Sequence, residues 1–135
     1  LAILATDLAD HAVAGAKAAT YPYEALKDVP AELKNAWVKR EGDQAIIAPE
    51  LCRKVHVKRL NLLGDWPIRK QFDVIFCRNV MIYFDQPTKD RLVARLADQL
   101  LPGGHLYIGH SERVAGPAQT QLTLVGSTIY RKGRM

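Results

Sequence analysis

Arg78 stands directly after the apolar run Val74-Ile75-Phe76-Cys77. A permanent guanidinium charge at the end of a buried strand is expensive unless it meets an anion or opens into a solvated cleft. A carboxylate ligand meets that requirement, and so does an ion pair with an Asp or Glu elsewhere in the domain. Tyr83 follows closely enough to bring its hydroxyl to the same pocket, or to pack as an amphipathic ring. Asp7 ends an early apolar run, where a carboxylate accepts from both hydroxyls of a ribose or caps the helix that follows. Asn61 closes another apolar stretch, and its amide either reads an adenine edge, donating and accepting together, or holds a turn. His110 comes after Gly109 at a further strand end, as a base or as a group that orients a loop through hydrogen bonds.

The elements that must position these residues are legible in the pattern of the chain. Residues 1–6 form an apolar strand ending at Asp7, and the alanine-rich stretch 10–19 has good helix propensity. Tyr21-Pro22-Tyr23 breaks that helix, and Pro30 suits the entry to a short helix over 32–38. Residues 37–40 and 44–48 suit strands, with Glu41-Gly42-Asp43 as a tight turn between them. Val55, Val57 and Leu60 indicate a strand ending at Asn61-Leu62-Leu63-Gly64. Phe72 to Cys77 is continuously apolar after its second residue, as expected of a central parallel strand covered on both faces. A helix over 87–101 follows, capped by Asp85, with Leu92, Val93, Leu96 and Leu100 on one face and Pro102-Gly103-Gly104 as its stop. Leu106-Tyr107-Ile108 is a further strand, and 122–125 with 128–131 form a closing hairpin at Gly126-Ser127. This order indicates an α/β fold with a mostly parallel sheet, which binds ligands outside the carboxyl ends of its strands. Asp7, Asn61, Arg78 with Asn79, and Gly109 with His110 are therefore expected on a common rim.

At 135 residues, nearly half of them apolar, the chain is long enough for one domain with a real core. No apolar run approaches the roughly 20 residues that cross a bilayer, and no signal peptide is evident, so a cytoplasmic location is expected. Cys52 and Cys77 have neither a CxxC spacing nor histidines near them, which indicates neither a disulfide framework nor a metal site. The formal charge of +5, with Arg53, Lys54, Lys58 and Arg59 close together, favours an acidic partner or is a solvated surface.

The run Phe72-Asp73-Val74-Ile75-Phe76-Cys77-Arg78-Asn79-Val80-Met81-Ile82-Tyr83-Phe84 resembles the signature of chemotaxis-receptor glutamate methyltransferases. Ala5-Thr6-Asp7-Leu8, Asn61-Leu62-Leu63, and Leu101-Pro102-Gly103-Gly104 leading to Gly109-His110-Ser111-Glu112 agree with that family in the same order. The resemblance implies the Rossmann-like fold of S-adenosylmethionine-dependent methyltransferases, with an inserted antiparallel hairpin. It places Asp7 at the ribose hydroxyls, Asn61 and Leu62 at the adenine, and Cys77, by its backbone, with Arg78 beside the methionine half. Arg78 and Tyr83 are then the catalytic pair, facing the methyl group and the incoming glutamate. That carboxylate is already ionised at neutral pH, so no general base is required and His110 receives no acid or base role.

The same likeness makes residues 1–135 part of a catalytic domain, with 37–48 as the inserted hairpin subdomain. The family's N-terminal helical domain and its first strand, with an acidic cofactor loop, are expected to be missing. The gap falls between the strand ending at Asp7 and the strand ending at Arg78. Two apolar edges exposed in that way invite pairing, as in a strand-exchanged dimer, and the chain alone is expected to bind the cofactor weakly and turn over poorly. The implied partner is the cytoplasmic domain of a methyl-accepting chemotaxis receptor. Family members that dock a receptor tail as an edge strand carry a longer, glycine-rich hairpin loop than Glu41-Gly42-Asp43. Docking here is therefore expected to use the basic face and to weaken with salt. Two other functions compete: a methyltransferase of this fold acting on nucleic acid or a small molecule, and a non-catalytic receptor-binding module. No aromatic-rich basic stripe for stacking bases is evident, which argues against nucleic acid.

Overall fold

Small and apolar residues at the start of the chain give β1 (Ile3–Asp7), which pairs in parallel with β5 (Val55–Arg59) from Ile3 opposite Val55 to Asp7 opposite Arg59. The structure is a computed structural model and describes residues 1–110 and 112–134; Ser111, in the Gly109-to-Glu112 stretch, lies outside the described residues. The chain divides into two compact units, Leu1–Trp66 and Pro67–Met135.

In the first unit α1 (Asp10–Ala18) follows β1, buries Val13, and ends on Ala19 in the left-handed conformation (φ 51°). A three-stranded antiparallel sheet lies between α1 and β5 in sequence, with β4 (Gln44–Ile47) between β2 (Thr20–Pro22) and β3 (Val38–Glu41). A 3-10 turn over Tyr23–Leu26 and α2 (Ala31–Trp37) connect β2 to β3, and α3 (Pro49–Cys52) leads from β4 to β5. The turn between β3 and β4 depends on Gly42 at φ 59°, a conformation costly for residues with a side chain. The helix does end before Tyr21-Pro22-Tyr23, and Tyr21 and Pro22 then join Thr20 in strand β2 while Tyr23 opens the 3-10 turn. Proline is tolerated there because β2 is an edge strand, where a missing N–H need not break the ladder. Tyr23 adds an N–H bond to the Asp43 carbonyl at 2.7 Å.

The second unit is a four-stranded sheet ordered β6 (Phe72–Cys77), β7 (Leu100–Ile108), β9 (Ile129–Lys132), β8 (Leu122–Gly126), with only the β6–β7 pair parallel. The helix α4 (Gln86–Gln99) opens as expected, with Asp85 Oδ1 accepting from the Thr88 N–H at 2.9 Å. Hydrogen bonds from Thr88, side chain first and backbone second, hold the Asp85 carboxyl below its ordinary range. Leu92, Val93, Leu96 and Ala97 of this helix are buried, as are Leu100, Leu106, Ile108 and Tyr130 of the sheet.

Two expectations are revised in this unit. The helix stops at Gln99, before the proline-glycine stretch, because Leu100 is already extended and opposite Phe72 in the ladder. Residues after it form an irregularity in β7, where Gly103 takes φ 85° and a Cβ on Gly104 would stand 2.9 Å from the carbonyls of Asp73 and Leu101. Carbonyls at this helix end are met by Lys132 Nζ of β9, which donates to Ala97 at 2.8 Å and to Leu100 at 2.9 Å, and by Gln71 Nε2, which donates to Asp98 at 3.1 Å. β6, read from its apolar run as a central strand and from the resemblance as one of two exposed edges, lies at the edge of this sheet and has no strand on its other side among the described residues. Val74 and Phe76 remain 44% and 69% exposed, although the Phe76 ring stacks on Tyr107 with centroids 4.6 Å apart.

Candidate functional site

In the first unit the candidates stand where β1 and β5 end. The Asp7 carbonyl accepts from the Leu60 N–H at 2.9 Å, which holds the exit of β5 against the exit of β1, one residue before Asn61. Asp7 Oδ1 accepts from the Ala9 N–H at 2.9 Å in a turn ahead of α1 and does not cap the helix, whose N-cap Ala9 has no side-chain bond; the carboxylate is exposed and keeps further lone pairs. Asn61 does hold a turn, its Oδ1 accepting from the Leu63 N–H at 3.0 Å and its carbonyl from Gly64. Its amide N–H groups are then the part able to meet a purine nitrogen. Leu62 is half-buried beside it, and its carbonyl accepts from the Trp66 indole N–H. Arg59, read from sequence as part of an open basic face, is drawn into the same junction: Nε donates to the Leu8 carbonyl at 2.9 Å and pairs with Asp10 at 3.4 Å. Arg53, Lys54 and Lys58 are exposed. A shallow groove of about 470 Å³ in this unit, lined by Ala5, Ala16, Ile47, Val55 and Lys58 among others, contains neither Asp7 nor Asn61.

In the second unit Cys77 is buried at the last position of β6, and Arg78 leaves the strand exposed. Arg78 has no ion-pair partner among the described residues. Asn79 follows in the left-handed conformation (φ 59°), Met81 is buried at 1% exposure and anchors the loop, and Tyr83 is 95% exposed. The tyrosine therefore packs little against the described residues of its own unit. His110 is exposed at the end of β7. Among the described residues no cluster of His, Cys, Asp or Glu is arranged to hold a metal ion.

Sequence reasoning gave no role to Glu112, yet it is the one buried charged side chain of the described residues. It is visible in the sequence only as part of the Gly109-to-Glu112 stretch; nothing in its spacing announces burial. Its carboxylate, after burial itself, raises the Cys77 thiol from an ordinary 9.0 to about 11. A raised thiol holds its proton at neutral pH, which argues against Cys77 as a nucleophile. The sign for stability follows: the folded state binds this proton more tightly than the unfolded one, so the contribution is complete below pH 9.0 and lost as pH rises toward about 11. Alkylation of the native protein at neutral pH is expected to modify Cys52 well before Cys77, as read by peptide mass spectrometry. Cys77→Ala should remove the loss of stability between those two pH values; an unchanged alkaline slope would refute the assignment.

Residues 1–131 match a family model described as the CheR methyltransferase SAM binding domain. A probable chemotaxis protein methyltransferase of Rhizobium etli is 43% identical over 133 residues, covering 96% of this chain and 50% of the relative. Chemotaxis protein methyltransferase 2 of Pseudomonas aeruginosa is 39% identical, over 95% of this chain and 47% of its own length. The chemotaxis protein methyltransferase of Escherichia coli is 35% identical, over 95% and 46%. The chain thus spans about half the length of the curated relatives it matches. Among solved structures, the N-methyltransferase NodS of Bradyrhizobium japonicum superposes with a TM-score of 0.55 over 98% of this chain and 74% of its own, at 14% identity, which speaks to the fold alone.

Proposed function

The chain belongs to the CheR methyltransferase family, and on that premise we propose that the full-length protein esterifies glutamate side chains of chemotaxis receptors with a methyl group from S-adenosylmethionine. The observation that carries this reading is Arg78: a permanent charge at the exit of an apolar strand, exposed and without an ion-pair partner among the described residues. Such a group is suited to an incoming carboxylate.

The donor set also fits the cofactor. In the first unit Asp7 offers an exposed carboxylate suited to vicinal hydroxyls and Asn61 offers amide donors suited to a purine, with Leu62 next to it in the chain; in the second unit the Cys77 backbone and Arg78 are suited to an amino-acid end. S-adenosylmethionine, when bound, supplies a methyl group activated by its sulfonium. The protein's share is alignment. Arg78 and the Tyr83 hydroxyl would grip one oxygen of the glutamate carboxylate, which leaves the other as nucleophile and orients it. Water must be stripped from that oxygen, and the grip must not quench it. No residue need accept a proton.

The receptor partner belongs to the same proposal. Arg53, Lys54 and Lys58 are the exposed basic groups that would meet an acidic receptor surface, and Arg59, tied to Leu8 and Asp10, contributes less. Offering labelled S-adenosylmethionine with either receptor cytoplasmic fragments or RNA tests the substrate class. Label is expected on the receptor fragment, and incorporation falls as salt screens the encounter. Label on RNA alone would show that the substrate class is wrong.

A further inference from the structure

The parallel ladder between β6 and β7 ends at the pair Cys77 and Ile108. The donors just beyond it, on Asn79 and Gly109, lie past the last strand partner and are both taken by one atom. Glu112 Oε1 accepts from the Gly109 N–H at 2.7 Å and from the Asn79 N–H at 3.3 Å. The Glu112 N–H donates in turn to the Gly109 carbonyl at 3.1 Å, so the loop after β7 closes on itself and reaches across to the loop after β6. The fit is close: a Cβ on Gly109 would stand 2.6 Å from Glu112 Oε1 and 2.8 Å from Asn79 Oδ1. Glu112 is buried, and its Oε2 has no hydrogen-bond partner among the described residues. Burying a carboxylate is costly, and the bonds at Oε1 are what offset it.

We propose that Glu112 is the positioning residue of the Arg78 loop: its carboxylate extends the β6–β7 ladder by one side-chain link, fixes Asn79 in its left-handed turn, and so sets the direction in which Arg78 leaves the strand. Glu112 touches no substrate in this role. It acts through the backbone N–H groups of Asn79 and Gly109, and the inference rests on the reading of Arg78 as the glutamate contact. A conserving change and two non-conserving ones separate the possibilities. Gln keeps an acceptor oxygen at the same reach, Asp keeps the carboxylate but withdraws it by one methylene, and Met fills the space with no acceptor.

The test uses the full-length protein, with methyl-transfer kinetics and hydrogen exchange of single amides measured on the same samples. Glu112→Gln should retain kcat within about threefold, whereas Glu112→Asp and Glu112→Met should lower it by roughly tenfold to a hundredfold, as for a reacting group misplaced by about 1 Å. KM for S-adenosylmethionine should stay nearly constant, since the loss is of alignment. Exchange at the Asn79 and Gly109 amides should accelerate in the Asp and Met proteins and not in the Gln protein. Wild-type kcat and exchange in Glu112→Asp would overturn the proposal, and so would a Gln protein as impaired as the Met protein. Should Glu112→Met fail to fold, the Gln and Asp pair carries the comparison alone. If the wild-type protein transfers no methyl group, the function fails, and the exchange rates still decide whether Glu112 anchors Asn79.

Discussion

Arg78→Ala in the full-length protein is expected to reduce methyl transfer by about 10²–10³, the usual result of removing one oriented, charged hydrogen bond from a water-poor site, worth about 2.7–4 kcal/mol of barrier. The fold should survive, because Arg78 is exposed and makes no ion pair among the described residues. Arg78→Lys keeps the charge but loses the planar fork, and should recover only part of the rate. Unfolding midpoints recorded alongside the kinetics separate chemistry from stability. Near-normal turnover by the folded alanine protein would remove Arg78 from the mechanism.

Leu106→Ala should produce the largest loss of stability. Leu106 lies in β7, opposite Ile75 on one side and Tyr130 on the other, and is fully buried. Truncation removes transfer free energy and leaves a cavity, which together cost about 2–5 kcal/mol. A domain stable by only about 5–15 kcal/mol would lose a large fraction of its margin. Urea unfolding should show a lower midpoint with an unchanged slope. A loss below about 1 kcal/mol would mean that this strand is not the core of its unit.

Much of the fold was legible because particular segments carry one dominant signal. Val74-Ile75-Phe76-Cys77 announces strand by its unbroken apolarity, and α4 announces itself through the spacing of Leu92, Val93 and Leu96 behind the cap at Asp85. Gly42 marks the hairpin turn because only glycine takes φ 59° there at little cost. Other features depended on contacts the pattern does not carry. Pro22 reads as a breaker, and only its place at a sheet edge makes it a strand residue. The helix end at Gln99 is set by Leu100 finding Phe72, a partner many residues earlier in the chain. The candidate residues Asp7, Asn61, Cys77, Arg78 and Tyr83 were nameable because each falls at a strand end or in a motif. Glu112 was passed over because its burial follows from the meeting of two loops, which periodicity does not describe. Arg59 was grouped with its basic neighbours for the same reason: its bonds to Leu8 and Asp10 cross from one strand exit to another.

The chemistry of the product tests the central claim most directly. A glutamate methyl ester is cleaved by mild alkali, whereas methyl groups on nitrogen or carbon are retained. The full-length protein should be incubated with S-adenosylmethionine labelled in the methyl group and a receptor cytoplasmic fragment, and the modified peptides mapped before and after treatment with base. Label confined to glutamate side chains and released as methanol is the predicted result. Base-stable label, or label on any other residue type, would contradict the account.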